Sequence, residues 1–216
     1  MKNIYELFRE TGVVPVVVLD SEEQGPELAR ALLAGGVPLM EVTYRTAAAQ
    51  GAIERIAREV PEMCVGAGTV LEPETASQAV QAGAQFIVSP GYSKELLSWC
   101  REREVVFFPG VATATELQTA VCDGMKYLKF FPAKQAGGAA MLKALGAVFS
   151  QVQFMPTGGI DAGNLSEYLS LPNVLACGGS WLCSKALIRE GRYEEITAIC
   201  RESIEKAAEI RKASQA

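Results

Sequence analysis

Lys129 is the residue whose surroundings in the sequence most strongly suggest covalent chemistry. It lies in the apolar, aromatic-rich run 127–131, between Asp123-Gly124 and Pro132, and such a run is typical of a buried strand. Burying an ammonium group costs free energy, so a lysine in such a strand is either paired or neutral. A neutral lysine can attack a carbonyl carbon and form a Schiff base. The alternative is a lysine at the end of an edge strand, with its ammonium group in water.

A second set of polar residues lies along the predicted strand 39–43 and just beyond it. Because side chains alternate in direction along a strand, Glu41, Thr43 and Arg45 share one face, opposite the residues between them. A carboxylate, a hydroxyl and a guanidinium group in this pattern indicate a polar site, since charged side chains rarely fill a core. The simpler alternative is a Glu41–Arg45 ion pair without a chemical role.

The complete absence of histidine limits the chemistry that this chain can perform. It excludes Ser-His-Asp and Cys-His catalysis and removes the commonest metal ligand. Acid–base chemistry therefore falls to carboxylates, lysine, tyrosine or water. We expect neither a metal ion nor an organic cofactor.

Glycine-rich turns follow most of the predicted strands. They occupy 66–69, 89–91, 109–110, 156–159 and 177–180. Glycine allows the backbone to approach a ligand closely, and Thr69 adds a hydroxyl group to the first of these turns. The pairs Gly158-Gly159 and Gly178-Gly179 follow the last two strands, where we expect backbone N–H groups to bind a phosphate or another anion. The alternative is that the glycines serve only the turns themselves.

Short apolar strands alternate with helices along the whole chain. The strands are predicted at 13–19, 39–43, 63–66, 86–89, 105–108, around Lys129, at 153–156 and at 174–177. The helices are predicted at 4–9, 21–33 with Ser21 as the N-cap, 47–60, 72–82, 93–103, 115–122, 139–147, from 164, and at 194–210. Eight strands separated by helices indicate βα units with parallel pairing. We expect a single-domain α/β protein over 1–216, a (β/α)8 TIM barrel with an N-terminal helix, whose active site lies at the C-terminal ends of the strands.

Composition and charge exclude several classes of partner. The net charge is −5 and no basic stripe is present, which argues against a nucleic-acid partner. The six cysteines include no Cys-x-x-Cys pair, as expected of reduced thiols in a reducing compartment. The sequence starts without the apolar segment of a signal peptide, and no apolar run is long enough to span a bilayer. We expect a cytoplasmic protein that does not bind membranes.

Taken together, these stretches resemble the class I 2-keto-3-deoxy-6-phosphogluconate (KDPG) aldolase family, which also cleaves 2-keto-4-hydroxyglutarate (KHG). The resemblance rests on 41–46, 65–71, 89–91, 109–110, 129–133, 156–160 and 178–181, in the family's order and spacing across nearly the whole chain. It implies a homotrimeric (β/α)8 barrel that acts on a small 2-keto acid, phosphorylated at its far end. It also implies a role in carbohydrate metabolism, in the Entner–Doudoroff pathway.

The resemblance also implies a role for individual residues. Lys129 matches the lysine that forms the Schiff base, and Glu41 matches the acid–base residue. The remaining matches are substrate-binding: Arg45 and Thr69 for the carboxylate of the pyruvyl group, Pro90 and Phe131 for the wall of the site, and Gly158, Gly159, Gly179 and Ser180 for the phosphate. One position departs from the family, because many members carry a basic residue just past the first strand and this chain carries Asp20. We expect this acid to weaken binding of the phosphate.

Three alternatives remain at this point. An aldolase for the galactonate-derived phosphate would share the lysine and the glycine turns, although Arg45 favours the gluconate type. A phosphate-binding isomerase or epimerase would use Lys129 only for its charge. A non-enzymatic scaffold trimer is disfavoured because Lys129 and Glu41 are both present.

Overall fold

The structure, a computed structural model, describes residues 3–215. Its strands are β1 Val13–Val17, β2 Leu39–Thr43, β3 Cys64–Gly68, β4 Phe86–Val88, β5 Val106–Phe108, β6 Gly110–Val111, β7 Tyr127–Phe130, β8 Gln153–Pro156 and β9 Cys177–Gly179. Its helices are α1 Ile4–Thr11, α2 Gln24–Ala34, α3 Ala49–Glu59, α4 Pro73–Gln81, α5 Lys94–Glu102, α6 Ala114–Cys122, α7 Gly138–Val148, α8 Leu165–Leu169, α9 Lys185–Arg189 and α10 Tyr193–Gln215, with a 3-10 turn at Trp181–Cys183. The predicted α/β alternation and N-terminal helix are confirmed.

The strands form two parallel sheets. The larger has the order β5-β4-β3-β2-β1-β9, and the smaller has the order β6-β7-β8. Contacts at both edges join the sheets, among them a parallel bridge between Thr157 and Gly178, and a hydrogen bond of 2.9 Å from the Lys129 N–H to the Pro109 carbonyl, between β5 and β6. The parallel strands therefore direct their C-terminal ends, with the glycine turns, toward the same side of the fold.

Side chains on the two faces of the strands belong to two separate apolar clusters. Met40, Val42, Leu128 and Phe130 pack outward in the large cluster beneath the helices. A smaller inner cluster contains Leu39, Phe86, Phe108 and Met155, together with Phe8 of α1. This alternation confirms the predicted facing of β2 and β7, since the residues between the outward-packing ones point inward.

Helix α1 seals the inner cluster at the N-terminal ends of the strands. The Phe8 ring lies 4.8 Å from that of Phe108 and 5.0 Å from that of Phe86, measured between centroids. Tyr5 stacks on Tyr127 at 3.8 Å. Because Tyr127 precedes Lys129 by two residues on the same face, this aromatic layer lies directly below the lysine and excludes water from that side.

Three local expectations were wrong. Ser21 is not the N-cap of α2, because the Gln24 side chain accepts hydrogen bonds from the N–H groups of Asp20 and Ser21, and the helix begins at Gln24. The segment after Pro109 is not only a turn, since Gly110–Val111 pairs with β7 as a short strand. The last strand is displaced from 174–177 to Cys177–Gly179, because these residues pair with β1 while Val174 makes a single bridge to Phe154.

Candidate active site

Lys129 and Glu41 meet inside the fold. The Lys129 Nζ lies 3.3 Å from Glu41 Oε1, and the two residues are 3% and 0% exposed. Lys129 belongs to the smaller sheet and Glu41 to the larger, so the pair connects the two sheets through the interior. This geometry rules out a lysine with its ammonium group in water. A buried amine beside a buried carboxylate can exchange a proton with it directly.

The second carboxylate oxygen of Glu41 is free to act on another molecule. Glu41 Oε2 is buried and makes no hydrogen bond within residues 3–215. A buried carboxylate oxygen without a donor is costly and is a common feature of catalytic sites. The carboxylate therefore has one oxygen on Lys129 and one available for the hydroxyl group of a substrate or for a water molecule.

Gly68 makes the space that the Glu41 carboxylate occupies. Parallel pairing of β2 with β3 sets Thr43 opposite Gly68 and Glu41 opposite Gly66. A Cβ atom at position 68 would lie 2.0 Å from Glu41 Oε1. The glycine that we expected to permit close approach to a ligand thus permits close approach of the Glu41 side chain.

Arg45 contacts Thr69 and not Glu41. The Arg45 Nε–H donates to Thr69 Oγ1 at 3.3 Å. Thr69 has a φ of 59°, which is rare for a β-branched residue. The Glu41–Arg45 ion pair considered above is therefore wrong, because the ion pair of Glu41 is with Lys129. An exposed guanidinium group beside a hydroxyl group is well suited to bind a carboxylate.

A cavity of about 410 Å³ opens at the C-terminal ends of the strands. It is lined by residues from the loops after β2, β7, β8 and β9, together with β1: Val16, Val18, Arg45, Phe131, Thr157, Gly158, Gly159, Ile160, Gly179, Ser180, Cys183, Ser184 and Lys185. Phe131 links this cavity to the buried pair, because Lys129 Nζ lies 5.3 Å from the centre of its ring. A molecule in the cavity therefore contacts Arg45, Phe131 and the glycine turns, whereas Lys129 reaches the cavity only through its contact with Phe131.

Six of the eight predicted substrate-binding residues line this cavity, namely Arg45, Phe131, Gly158, Gly159, Gly179 and Ser180. Thr69 touches it indirectly through Arg45. Pro90 is not among the lining residues, and its carbonyl instead lies against Gly110.

The glycine pair after β8 has the backbone geometry of an anion-binding turn. Gly158 and Gly159 have φ values of 101° and 75°, in the left-handed region that other residues rarely adopt. Successive N–H groups in a turn can form a concave surface that binds anions. Such a surface can hold a phosphate group without any basic side chain.

Asp20 is held by two cations. Its Oδ1 lies 2.7 Å from Lys185 Nζ and its Oδ2 lies 2.6 Å from Arg189 Nε. Hydrogen bonds from Arg189 and then from Lys185 lower the pKa of the Asp20 carboxyl group below its usual value. Neither Lys185 nor Arg189 is among the site residues predicted from the sequence. A lysine and an arginine shortly after the last glycine turn were the available signal, but nothing in the sequence places them against residue 20.

Neither a metal site nor a membrane segment is found in the part of the chain that the structure describes. Within residues 3–215, no three cysteine or carboxylate side chains are grouped so that they could hold a metal ion. No helix in the same range is both long and apolar enough to cross a membrane.

A family profile and several known proteins align with nearly the whole chain. A family profile described as "KDPG and KHG aldolase" matches residues 4–199. The chain is 44% identical over 205 residues to the 2-dehydro-3-deoxy-phosphogluconate aldolase of Treponema pallidum, covering 95% of this chain and 98% of that protein. It is 47% identical over 195 residues to the KHG/KDPG aldolase of Escherichia coli K12, covering 90% and 92% of the two.

One solved structure is similar to this chain in both fold and sequence. It is the KDPG aldolase of Legionella pneumophila, with pyruvate captured as a covalent carbinolamine intermediate. The TM-score is 0.90 at 42% identity, with 94% of this chain and 98% of that chain covered. The site geometry, the family profile and these relatives agree, and the chain belongs to the KDPG and KHG aldolase family.

Proposed function

We propose that this protein is a Schiff-base aldolase that cleaves KDPG to pyruvate and D-glyceraldehyde 3-phosphate, and that it also cleaves KHG to pyruvate and glyoxylate. The observation that carries the proposal is the buried contact of 3.3 Å between Lys129 Nζ and Glu41 Oε1. This contact supplies a nucleophilic amine and a proton acceptor in one place, which carbon–carbon cleavage through an imine needs.

The first half of the reaction builds the imine. Lys129 passes a proton to Glu41, and the neutral amine adds to the C2 carbonyl carbon of the substrate to give a carbinolamine. Glu41 returns a proton to the departing hydroxyl group, and loss of water leaves a protonated imine. Arg45, supported by Thr69, binds the C1 carboxylate, and Phe131 lies beside the pyruvyl group.

The second half breaks the carbon–carbon bond. Glu41, again a carboxylate, removes the proton of the C4 hydroxyl group through Oε2. The C3–C4 bonding electrons move toward the imine nitrogen, which releases the aldehyde and leaves an enamine on Lys129. Protonation of the enamine at C3 and hydrolysis of the imine free pyruvate and the lysine. Each step balances without a metal ion or an organic cofactor.

The far end of the substrate is assigned to the glycine turns. Backbone N–H groups of Gly158, Gly159 and Gly179 and the Ser180 hydroxyl group bind the phosphate. The positive φ values of Gly158 and Gly159, and the position of all four residues around one cavity, support this assignment.

For the whole molecule we propose one domain, a closed (β/α)8 barrel and a homotrimer in the cytoplasm. The Thr157–Gly178 bridge and the Lys129–Pro109 hydrogen bond join the two sheets at both edges, and this supports closure. The trimer, the compartment and a place in the Entner–Doudoroff pathway rest on the family. Sedimentation at a mass other than three times that of the chain would contradict the trimer.

Pyruvate release, assayed side by side on four substrates, tests the proposed activity. The substrates are KDPG, its galactonate epimer, KHG and the unphosphorylated sugar acid 2-keto-3-deoxygluconate. We expect the highest kcat/KM for KDPG and measurable turnover of KHG. A higher kcat/KM for the galactonate epimer would mean that this epimer, and not KDPG, is the preferred substrate. If none of the four substrates yields pyruvate, the aldolase assignment is wrong, and an isomerase, an epimerase or a scaffold takes its place.

A further inference from the structure

Two cationic side chains line the cavity, and they lie on different loops. Arg45, after β2, contacts Thr69, while Lys185 follows the last glycine turn. Lys185 lines the cavity together with Gly179 and Ser180, two of the residues to which the phosphate is assigned above. A cation therefore stands at the phosphate end of the cavity although none follows β1.

Lys185 is held in place by two contacts. The Ser184 side chain accepts a hydrogen bond from the Leu187 N–H, which fixes the backbone where Lys185 begins α9. The Lys185 Nζ lies 2.7 Å from Asp20 Oδ1, just past β1. A cation that is positioned before its ligand arrives loses less conformational freedom on binding.

The charges around Asp20 leave the cavity positive at this end. Asp20 carries one negative charge, and Lys185 and Arg189 carry two positive charges between them, so the trio has a net charge of +1. Arg189 forms an ion pair with Oδ2 of Asp20. Its positive charge balances the negative charge of Asp20, so the charge of Lys185 is not cancelled. An ammonium group has three N–H donors, and the contact with Asp20 occupies one of them. Two donors remain for phosphate oxygens.

We propose that Lys185 binds the phosphate group of the substrate and sets the preference for a phosphorylated over an unphosphorylated sugar acid. The substrate class rests on the function proposed above. The acid that departs from the family pattern is then part of the same arrangement, because it orients Lys185 and does not confront the phosphate as an unpaired charge. Helix α9 supplies the basic group that the loop after β1 lacks.

The test compares Lys185→Met with Lys143→Met. Both variants lose one positive charge, but Lys143 lies exposed on α7 and lines a different cavity with Gly146 and Asn173. We expect Lys185→Met to raise KM for KDPG roughly ten- to a hundredfold, as for the loss of a hydrogen bond to a charged group. The KM for 2-keto-3-deoxygluconate and imine trapping with pyruvate stay as in the wild type. Lys143→Met stays within about twofold of the wild type on both sugar acids, because exposed charges act weakly at a distance.

Binding of glycerol 3-phosphate, measured by calorimetry, separates this proposal from the aldolase assignment. We expect the ester to bind the wild type and Lys143→Met alike and Lys185→Met more weakly, at unchanged melting temperature. Equal binding by all three proteins, or equal rises in KM for both sugar acids in Lys185→Met, would overturn the role of Lys185. Suppose that the wild type cleaves no sugar acid while Lys185→Met still binds glycerol 3-phosphate more weakly than the wild type does. In that case the proposed function fails and the phosphate-binding role of Lys185 stands.

Discussion

At the scale of single residues, the proposed chemistry depends on an amine and a carboxyl group that are held together away from water. Taking both groups out of water is costly, and their contact recovers part of that cost only while both are present. Lys129 and Glu41 therefore depend on each other for burial as well as for the proposed proton transfer. The unpaired Glu41 Oε2 is the one feature of this pair that burial alone does not explain.

Lys129 should be the only residue that becomes covalently attached to pyruvate. Incubation with pyruvate and borohydride should add mass to the peptide that contains Lys129, because among the lysines of residues 3–215 only this one is buried beside a carboxylate. Lys126 and Lys134, both exposed and close in sequence, serve as internal controls for peptide mapping. Labelling of either one in place of Lys129 would contradict the mechanism. Lys129→Arg should be nearly inactive, since a guanidinium group stays protonated.

Replacement of Glu41 should slow turnover far more than it weakens binding. Glu41→Gln keeps the volume and removes the proton acceptor, and a positioned acid–base group contributes about 10²–10⁴-fold to the rate. We expect kcat on KDPG to fall by a factor in this range. The KM should change little, which steady-state kinetics measures directly. Turnover at the wild-type rate would remove Glu41 from the mechanism.

At the scale of elements, parallel strands carry the reacting groups to one end, and a glycine on β3 determines whether they fit. The Gly68 backbone lies against the Glu41 carboxylate, where even a methyl group would overlap with Oε1. The N-terminal ends of the same strands are filled by the aromatic layer with α1. The strands thus present an apolar floor below Lys129 and Glu41 and polar turns above them.

Gly68→Ala should displace the Glu41 carboxylate and lower kcat. Overpacking of a filled interior costs about 1–3 kcal/mol, so melting should also occur at a lower temperature while the fold persists. Gly91→Ala is the matched control, because a Cβ atom there would meet nothing within 4 Å. Steady-state kinetics and thermal melting of both variants provide the comparison. If kcat of Gly68→Ala equals that of Gly91→Ala, turnover does not depend on the position that the Glu41 carboxylate has beside Gly68.

At the scale of the whole molecule, the protein is held together without disulfide bonds. All six cysteines are free, and five of them are buried. Burial raises the pKa of the Cys64 thiol to about 11 and that of the Cys100 thiol to about 12. A thiol with a raised pKa is mostly protonated at mildly alkaline pH, and the thiolate is the form that reacts. Folding therefore protects these thiols twice, by excluding reagent and by suppressing ionisation.

One cysteine should react rapidly with an alkylating reagent in the folded protein, and all six should react in the unfolded protein. Iodoacetamide at mildly alkaline pH should modify the exposed Cys122 first, with the other five reacting only after urea is added. Mass spectrometry of the intact chain counts the added groups. Cys122→Ser is the control and should remove the fast addition. Rapid modification of a second cysteine in the native state would mean that the core opens far more readily than its packing indicates.

The order of strands and helices, the inward facing of Glu41 and Lys129, and the glycine turns could all be predicted from the sequence. Each of these depends on local patterns: the alternation of side chains along a strand, and the backbone freedom of glycine. The partner of each charge could not be predicted in this way. Glu41 pairs with Lys129, 88 residues away, and Asp20 pairs with Lys185 and Arg189 on α9. Such pairs form only when the two sheets and the last loops come together in the tertiary structure. Periodic patterns in a sequence report secondary structure and do not show which distant residues come into contact.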